Sequence, residues 1–201
     1  MLGLMIKDMH VIVKYRLTYM LLVSAVLVLL LTAFGAGNNC AIVGLVFSSV
    51  EGTIGFDRSS EWEKFAITLP VSRMQVVLSK YLLSVMLMLI GMVLGLFVTV
   101  LFNAVLHLNL TLGDLMADVV TAVPIMLMLN AMVIMFNMRT SRFTVLAVLV
   151  GVALFWGLLG VFGYYFKFSA TAVFNALLLA SIVLYGVSFF LACLLYRRKD
   201  L

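Results

Sequence analysis

Glu61, Trp62, Glu63, Phe65, Leu69, Pro70, Ser72 and Arg73 crowd into one short segment of a chain that is otherwise very apolar. They belong to the stretch Ser60 to Leu83, the most polar long run in the sequence. Neither histidine (His10, His107) nor cysteine (Cys40, Cys193) falls inside it. The carboxylates there have no nucleophile or base beside them, so bond-breaking chemistry is not indicated. The types instead suit recognition. Aromatic side chains supply anchors, and Glu61 and Glu63 give an acidic rim that fits a protein groove better than an anionic lipid surface. An interfacial helix resting on headgroups, with Trp62 in the aromatic belt, is the competing reading.

The other reactive side chains are scattered. Cys40 and Cys193 are expected near opposite faces of a bilayer, which argues against a disulfide between them. Two histidines make no metal-ligand cluster, and no metal is expected. Glu51, Asn103, Asn130 and Asn137 are polar residues in or near apolar runs, candidates for a membrane-embedded role or for lining a cavity. Glu51 reads as lying close to a membrane surface. Asp114 and Asp118 sit where a helix begins. Thr111 is placed to cap that helix, and the helix dipole favours acids in its first turn. Gly91 and Gly95 form a small-xxx-small pair that lets helices approach closely, either within the chain or between two copies.

These residues must be positioned by membrane-spanning helices. The chain has 201 residues, is 66% hydrophobic and 10% charged, and has a mean hydropathy of +1.27. A soluble domain could not hide that much apolar surface. Six nearly uncharged runs can be read: 17–34, about 38–56, 81–106, 119–138, 143–166 and 168–196. Each is long enough to cross ~30 Å of hydrocarbon at 1.5 Å per residue. Backbone groups in lipid must be satisfied internally, so the runs are helices. The fold class is an all-α polytopic membrane protein with six transmembrane helices in a single domain, residues 1–201. Segment 163–175 is open between a loop and a re-entrant turn.

With the N-terminus inside, Lys7, Lys14, Arg16, Arg58, Lys64, Arg73, Lys80, Arg139, Arg142, Arg197, Arg198 and Lys199 fall on inner segments, and only Lys167 falls outside. That asymmetry follows the positive-inside rule, with both termini cytoplasmic. It also accounts for the net charge of +5 without nucleic acid as a partner. The start is not expected to be a cleaved signal peptide, because its basic region is long and its apolar run has span length. Residues 1–16 alternate Met5, Ile6, Met9, Ile12 and Val13 with Lys7, Lys14 and Arg16, which predicts an amphipathic helix in the interface with membrane lipids.

The inner loop 57–80 has its own pattern. Ser60 with Glu63 matches a capping box, so a short helix should start there. Trp62, Phe65, Ala66 and Leu69 recur on one face. Pro70 should end that helix and act as a hinge. Ser72 with Gln75 is a second capping box, opening a helix that runs into the third span.

The stretch "WEKFAITLPVSRMQVVLSKYL" resembles a segment of small bacterial ABC-2-type permeases, through Trp62, Phe65, Thr68, Leu69, Pro70, Val71, Ser72, Arg73, Ser79, Lys80 and Tyr81. The resemblance implies that the loop is a coupling helix docking on a separate ATP-binding subunit. It further implies a partner permease, as a homo- or heterodimer, in the cytoplasmic membrane. The group includes exporters of amphipathic peptides such as phenol-soluble modulins and antimicrobial peptides. No Gly-x4-Gly-Lys-Ser/Thr occurs in the chain, so ATP and Mg are expected in the partner ATPase, with no cofactor and no enzyme activity here. A gradient-driven secondary transporter, or a non-transporting sensor or immunity subunit, are the alternatives.

Overall fold

The computed structural model describes residues 2–33, 39–68, 71–106, 111–139 and 170–197, together with positions 153 and 157. The regular elements among them are helical: α1 (Leu2–Val11), a π-helical turn (Ile12–Arg16), α2 (Leu17–Ala33), α3 (Asn39–Phe47), α4 (Glu51–Ser59), α5 (Trp62–Thr68), α6 (Arg73–Leu106), α7 (Leu112–Arg139) and α8 (Ala170–Arg197). Five helical runs are long and apolar enough to cross a membrane: Leu2–Leu30, Asn39–Ser59, Arg73–Val105, Leu112–Met138 and Phe174–Arg197. The expected span 143–166 lies outside the described residues, apart from positions 153 and 157, and so does segment 163–169. The surface of the bundle is apolar: Leu22, Val93, Phe97, Val105, Val183 and Phe190 are all mostly exposed. That is the pattern of a protein whose solvent is hydrocarbon.

Two elements differ from the sequence expectation. The N-terminal segment is not a separate helix. It runs through the π turn into α2, with Val11 and Leu17 both in right-handed helical backbone. Its buried face is Leu4, Asp8 and Ile12, so α1 packs on protein as well as meeting the surroundings. The second span is broken. Residues Ser48 to Val50 separate α3 from α4, and the Ser48 and Ser49 hydroxyls bond back to the carbonyls of Leu45 (3.2 Å) and Val46 (2.6 Å). Such back-bonding competes with the helix ladder. The freed groups find partners on neighbours: Asn130 Nδ2 donates to Ser48 Oγ (2.8 Å), and Ser84 Oγ donates to the Ser48 carbonyl (3.3 Å). As the sequence predicts, α7 starts ahead of the apolar run, at Leu112, where Thr111 and Asp114 cap it reciprocally. Asp114 N donates to Thr111 Oγ1 (3.3 Å), and Thr111 N donates to Asp114 Oδ2 (2.8 Å).

The capping box before α6 forms as the pattern predicts. Gln75 N donates to Ser72 Oγ (3.2 Å), and Ser72 N donates to Gln75 Oε1 (3.0 Å). α6 therefore begins well before the apolar run. Its 34 residues make a rod of about 51 Å, longer than a ~30 Å hydrocarbon core. α3 packs on α6 and α7, α2 packs on α3, and α8 packs on α7 and α6. Close approach of α3 and α6 depends on glycine. A Cβ on Gly91 would sit 2.7 Å from the Gly44 Cα, and one on Gly95 would sit 2.7 Å from the Cys40 Cα. The small-xxx-small pair thus faces α3 of the same chain. Tyr81 ties three helices together. Its hydroxyl and that of Ser188 share a hydrogen bond (2.7 Å), and Ser188 Oγ donates on to the Ala131 carbonyl (2.5 Å).

Candidate coupling site

The site is built at the basic end of the bundle, where α1, α4, α5 and the start of α6 meet. α4 stops at Ser59, because the hydroxyls of Ser59 and Ser60 donate to the Phe56 carbonyl (3.1 and 2.7 Å). Ser60 thus closes α4, while Glu63, the expected partner of a Ser60 cap on α5, has its side chain outside the described residues. Glu61 follows with φ 54°, the left-handed region. A non-glycine residue there costs on the order of 1–2 kcal/mol. The reversal turns the chain into α5, whose first bond runs from Phe65 N to the Glu61 carbonyl (3.4 Å).

On α5 the expected common face is divided. Trp62 turns inward and is half-buried, packed against the cluster of Leu4, Ile54, Val77, Tyr81 and Tyr196. Ala66 is buried beside it. Phe65 is 56% exposed, and Glu61 and Thr68 are exposed too. The Phe65 ring still touches Trp62, with centroids 5.2 Å apart. The side chains of Glu63 and Lys64, and residues Leu69 and Pro70, lie outside the described part of the structure.

Behind Trp62 lies a network of four charges. The Lys7 ammonium sits 4.5 Å from the Trp62 ring centre, a cation–π contact. Lys7 also pairs with Asp57 and, at 3.1 Å, with Asp8. Lys80 pairs with Asp57 (2.6 Å) and Asp8 (2.8 Å), and donates to Thr53 Oγ1 (3.2 Å). The side chains of Asp8, Lys80 and Asp57 are 1, 4 and 7% exposed. Two cations and two anions cancel, which is what allows the set to be buried. The Asp8 oxygens receive no well-angled hydrogen bond, so they are held by ammonium charge at short distance. The network joins α1, α4 and α6 and touches α5 through Trp62.

Sequence spacing does not pair these residues. Lys7 registers in the charge bias and the amphipathic N-terminal pattern, Lys80 in the charge bias and the permease resemblance, Asp57 only as a loop boundary, and Asp8 not at all. One signal was present: Asp8 stands four residues from both Leu4 and Ile12, on the face that becomes buried.

The remaining candidates are placed elsewhere. Arg73 is exposed, and its Nη1 donates to the carbonyls of Arg197 (2.8 Å) and Tyr196 (3.5 Å) at the end of α8. Arg58 Nη2 donates to the Asn137 carbonyl (2.7 Å), and the Asn137 side chain donates to the Val133 carbonyl (2.9 Å). Asn130 serves the break at Ser48. Asn103 is half-buried on α6. The three asparagines do not converge. An apolar groove of about 340 Å³ between α2, α3 and α6, lined by Val28, Phe47, Phe97 and Phe102, includes none of them. Glu51 opens α4, and its side chain lies outside the described residues.

Apolar membrane-length helices with a buried charged network at one end define an integral membrane protein. Residues 3–197 match the model of the ABC-2 family transporter proteins, and the chain belongs to that family. Such chains are the membrane component of ABC transporters, which work with an ATP-binding subunit. No curated protein and no solved structure matches it.

Proposed function

We propose that this chain is the permease subunit of an ATP-driven exporter and that α5 is the element on which the ATPase subunit pushes. One observation carries this reading: α5 offers Phe65 outward, beside the exposed Glu61 that precedes it, while Trp62 is clamped inward over Lys7. Lys7 in turn belongs to the ion network that holds Lys80 at the base of α6. A push on Phe65 is thus passed through Trp62 and the network to a rod that crosses the membrane. In this reading ATP and Mg stay in the partner, the basic end faces the cytoplasm of a bacterial cell, and a second permease copy or paralogue completes the complex. The cargo is an amphipathic peptide, as the resemblance implies. The apolar groove beside Phe47, Phe97 and Phe102 suits one face of such a peptide.

The division of α5 separates two roles. Phe65→Ala should abolish capture of the ATPase from detergent, because an exposed aromatic anchor is lost. Trp62→Ala should keep capture but uncouple ATP hydrolysis from transport. Capture unchanged in Phe65→Ala, or transport unchanged in Trp62→Ala, overturns the assignment. Export that continues without ATP but stops when the ion gradient collapses would favour a secondary transporter instead.

A further inference from the structure

We propose that the pocket between the start of α6 and the end of α8 binds the headgroup of an anionic phospholipid. The pocket has a volume of about 640 Å³. It has two chemically distinct parts. Ser72, Arg73 and Arg197 line one part, where both helices end in charged sequence. Met74, Phe190 and Leu194 line the other, and each is more than half exposed on the apolar flank of the bundle.

This is the layout of a lipid at the membrane boundary. A phosphodiester needs planar cationic donors, which guanidinium supplies best. An acyl chain needs an apolar wall that continues into the hydrocarbon. Arg73 is fixed at the rim, since Nη1 is anchored on the Arg197 carbonyl (2.8 Å). That anchor brings two guanidinium-bearing residues to one mouth. Two arginines at the mouth favour an anionic headgroup over a zwitterionic one. Each arginine near a membrane surface contributes about 1 kcal/mol toward anionic lipid, about a fivefold change in retention. This site does not depend on the ATPase reading and does not share residues with the ion network.

The test is lipid retention by the full chain purified in detergent and read by native mass spectrometry, with phosphatidylglycerol and phosphatidylcholine offered in equal amounts. Phosphatidylglycerol should be retained preferentially. Arg197→Gln should reduce that preference about fivefold while leaving its backbone carbonyl for Arg73. Lys14→Gln removes an exposed charge at the same end of the protein and should change it by less than twofold. Equal retention of the two lipids, or an equal loss in Lys14→Gln, overturns the site. So does an oxidant-induced Cys193–Cys193 crosslink between copies with no lipid retained, because Cys193 lines the pocket and the face would then be a seam between permeases.

Discussion

Replacing Lys80 by methionine tests whether the basic end is held by charge or by packing. The methionine keeps an unbranched apolar stem of similar length and removes the ammonium. Two carboxylates then remain buried, Asp8 and Asp57, with Lys7 as the one cation left in the network. Lys7 is the most exposed of the four, at 28%. Breaking a buried ion pair by deleting one partner typically costs about 3–5 kcal/mol. For a chain of this size 1 kcal/mol moves the melting point by roughly 2–4 °C, so the expected drop is about 6–20 °C. The assay is thermal unfolding in detergent followed by size-exclusion chromatography. The double variant Lys80→Met/Asp8→Asn restores neutrality, with Lys7 facing Asp57 alone, and should recover most of the loss. That recovery is the sign of coupling that two independent sites would not give. The reasoning is refuted if Lys80→Met melts no lower than Lys14→Met, or if the double variant is less stable than Lys80→Met.

Two further outcomes follow from the packing. Gly95→Ala puts a Cβ 2.7 Å from the Cys40 Cα and 3.0 Å from the Asn39 carbonyl oxygen. It should destabilise the single chain by about 1–3 kcal/mol, measured as a lower melting point with no concentration dependence; dissociation of a dimer with an unchanged melting point would place the glycine at a seam between copies. Asn130→Leu removes the donor to Ser48 Oγ across the broken second span. It should cost about 1–3 kcal/mol, and Ser48→Ala should then add only the loss of its bond to the Leu45 carbonyl, because the Asn130 bond is already gone.

Much of this arrangement is legible in the sequence because it rests on local rules. Uncharged runs mark spans, Ser72 with Gln75 marks the start of α6, and Thr111 with Asp114 marks the start of α7. The residues between Asp57 and Lys80 mark the segment that carries α5. The rest depends on contacts between parts of the chain far apart in sequence. That Ser60 closes the helix before it goes with the reversal at Glu61, which no propensity specifies. Which of Trp62 and Phe65 turns inward depends on the position of Lys7, on a different helix. Asp8, Asp57 and Lys80 pair because α1 folds against α4 and α6, and periodicity along one segment carries no record of that. The break at Ser48 is marked only by two adjacent serines, and its cost is met by Asn130 and Ser84 on other helices.

The network also imposes an order on biogenesis. Asp8 leaves the ribosome early, on a helix that continues directly into the first span. Its cations are Lys7, its own neighbour, and Lys80, which emerges only after two spans and α5 have been translated. Until then Asp8 has only Lys7 beside it, and desolvation opposes burying the acid with one of its two cations missing. Arrival of the first turns of α6 supplies the missing ammonium and draws α1 down onto α4. Closure of the charged base therefore waits on the first turns of α6 and needs nothing from α7 or α8.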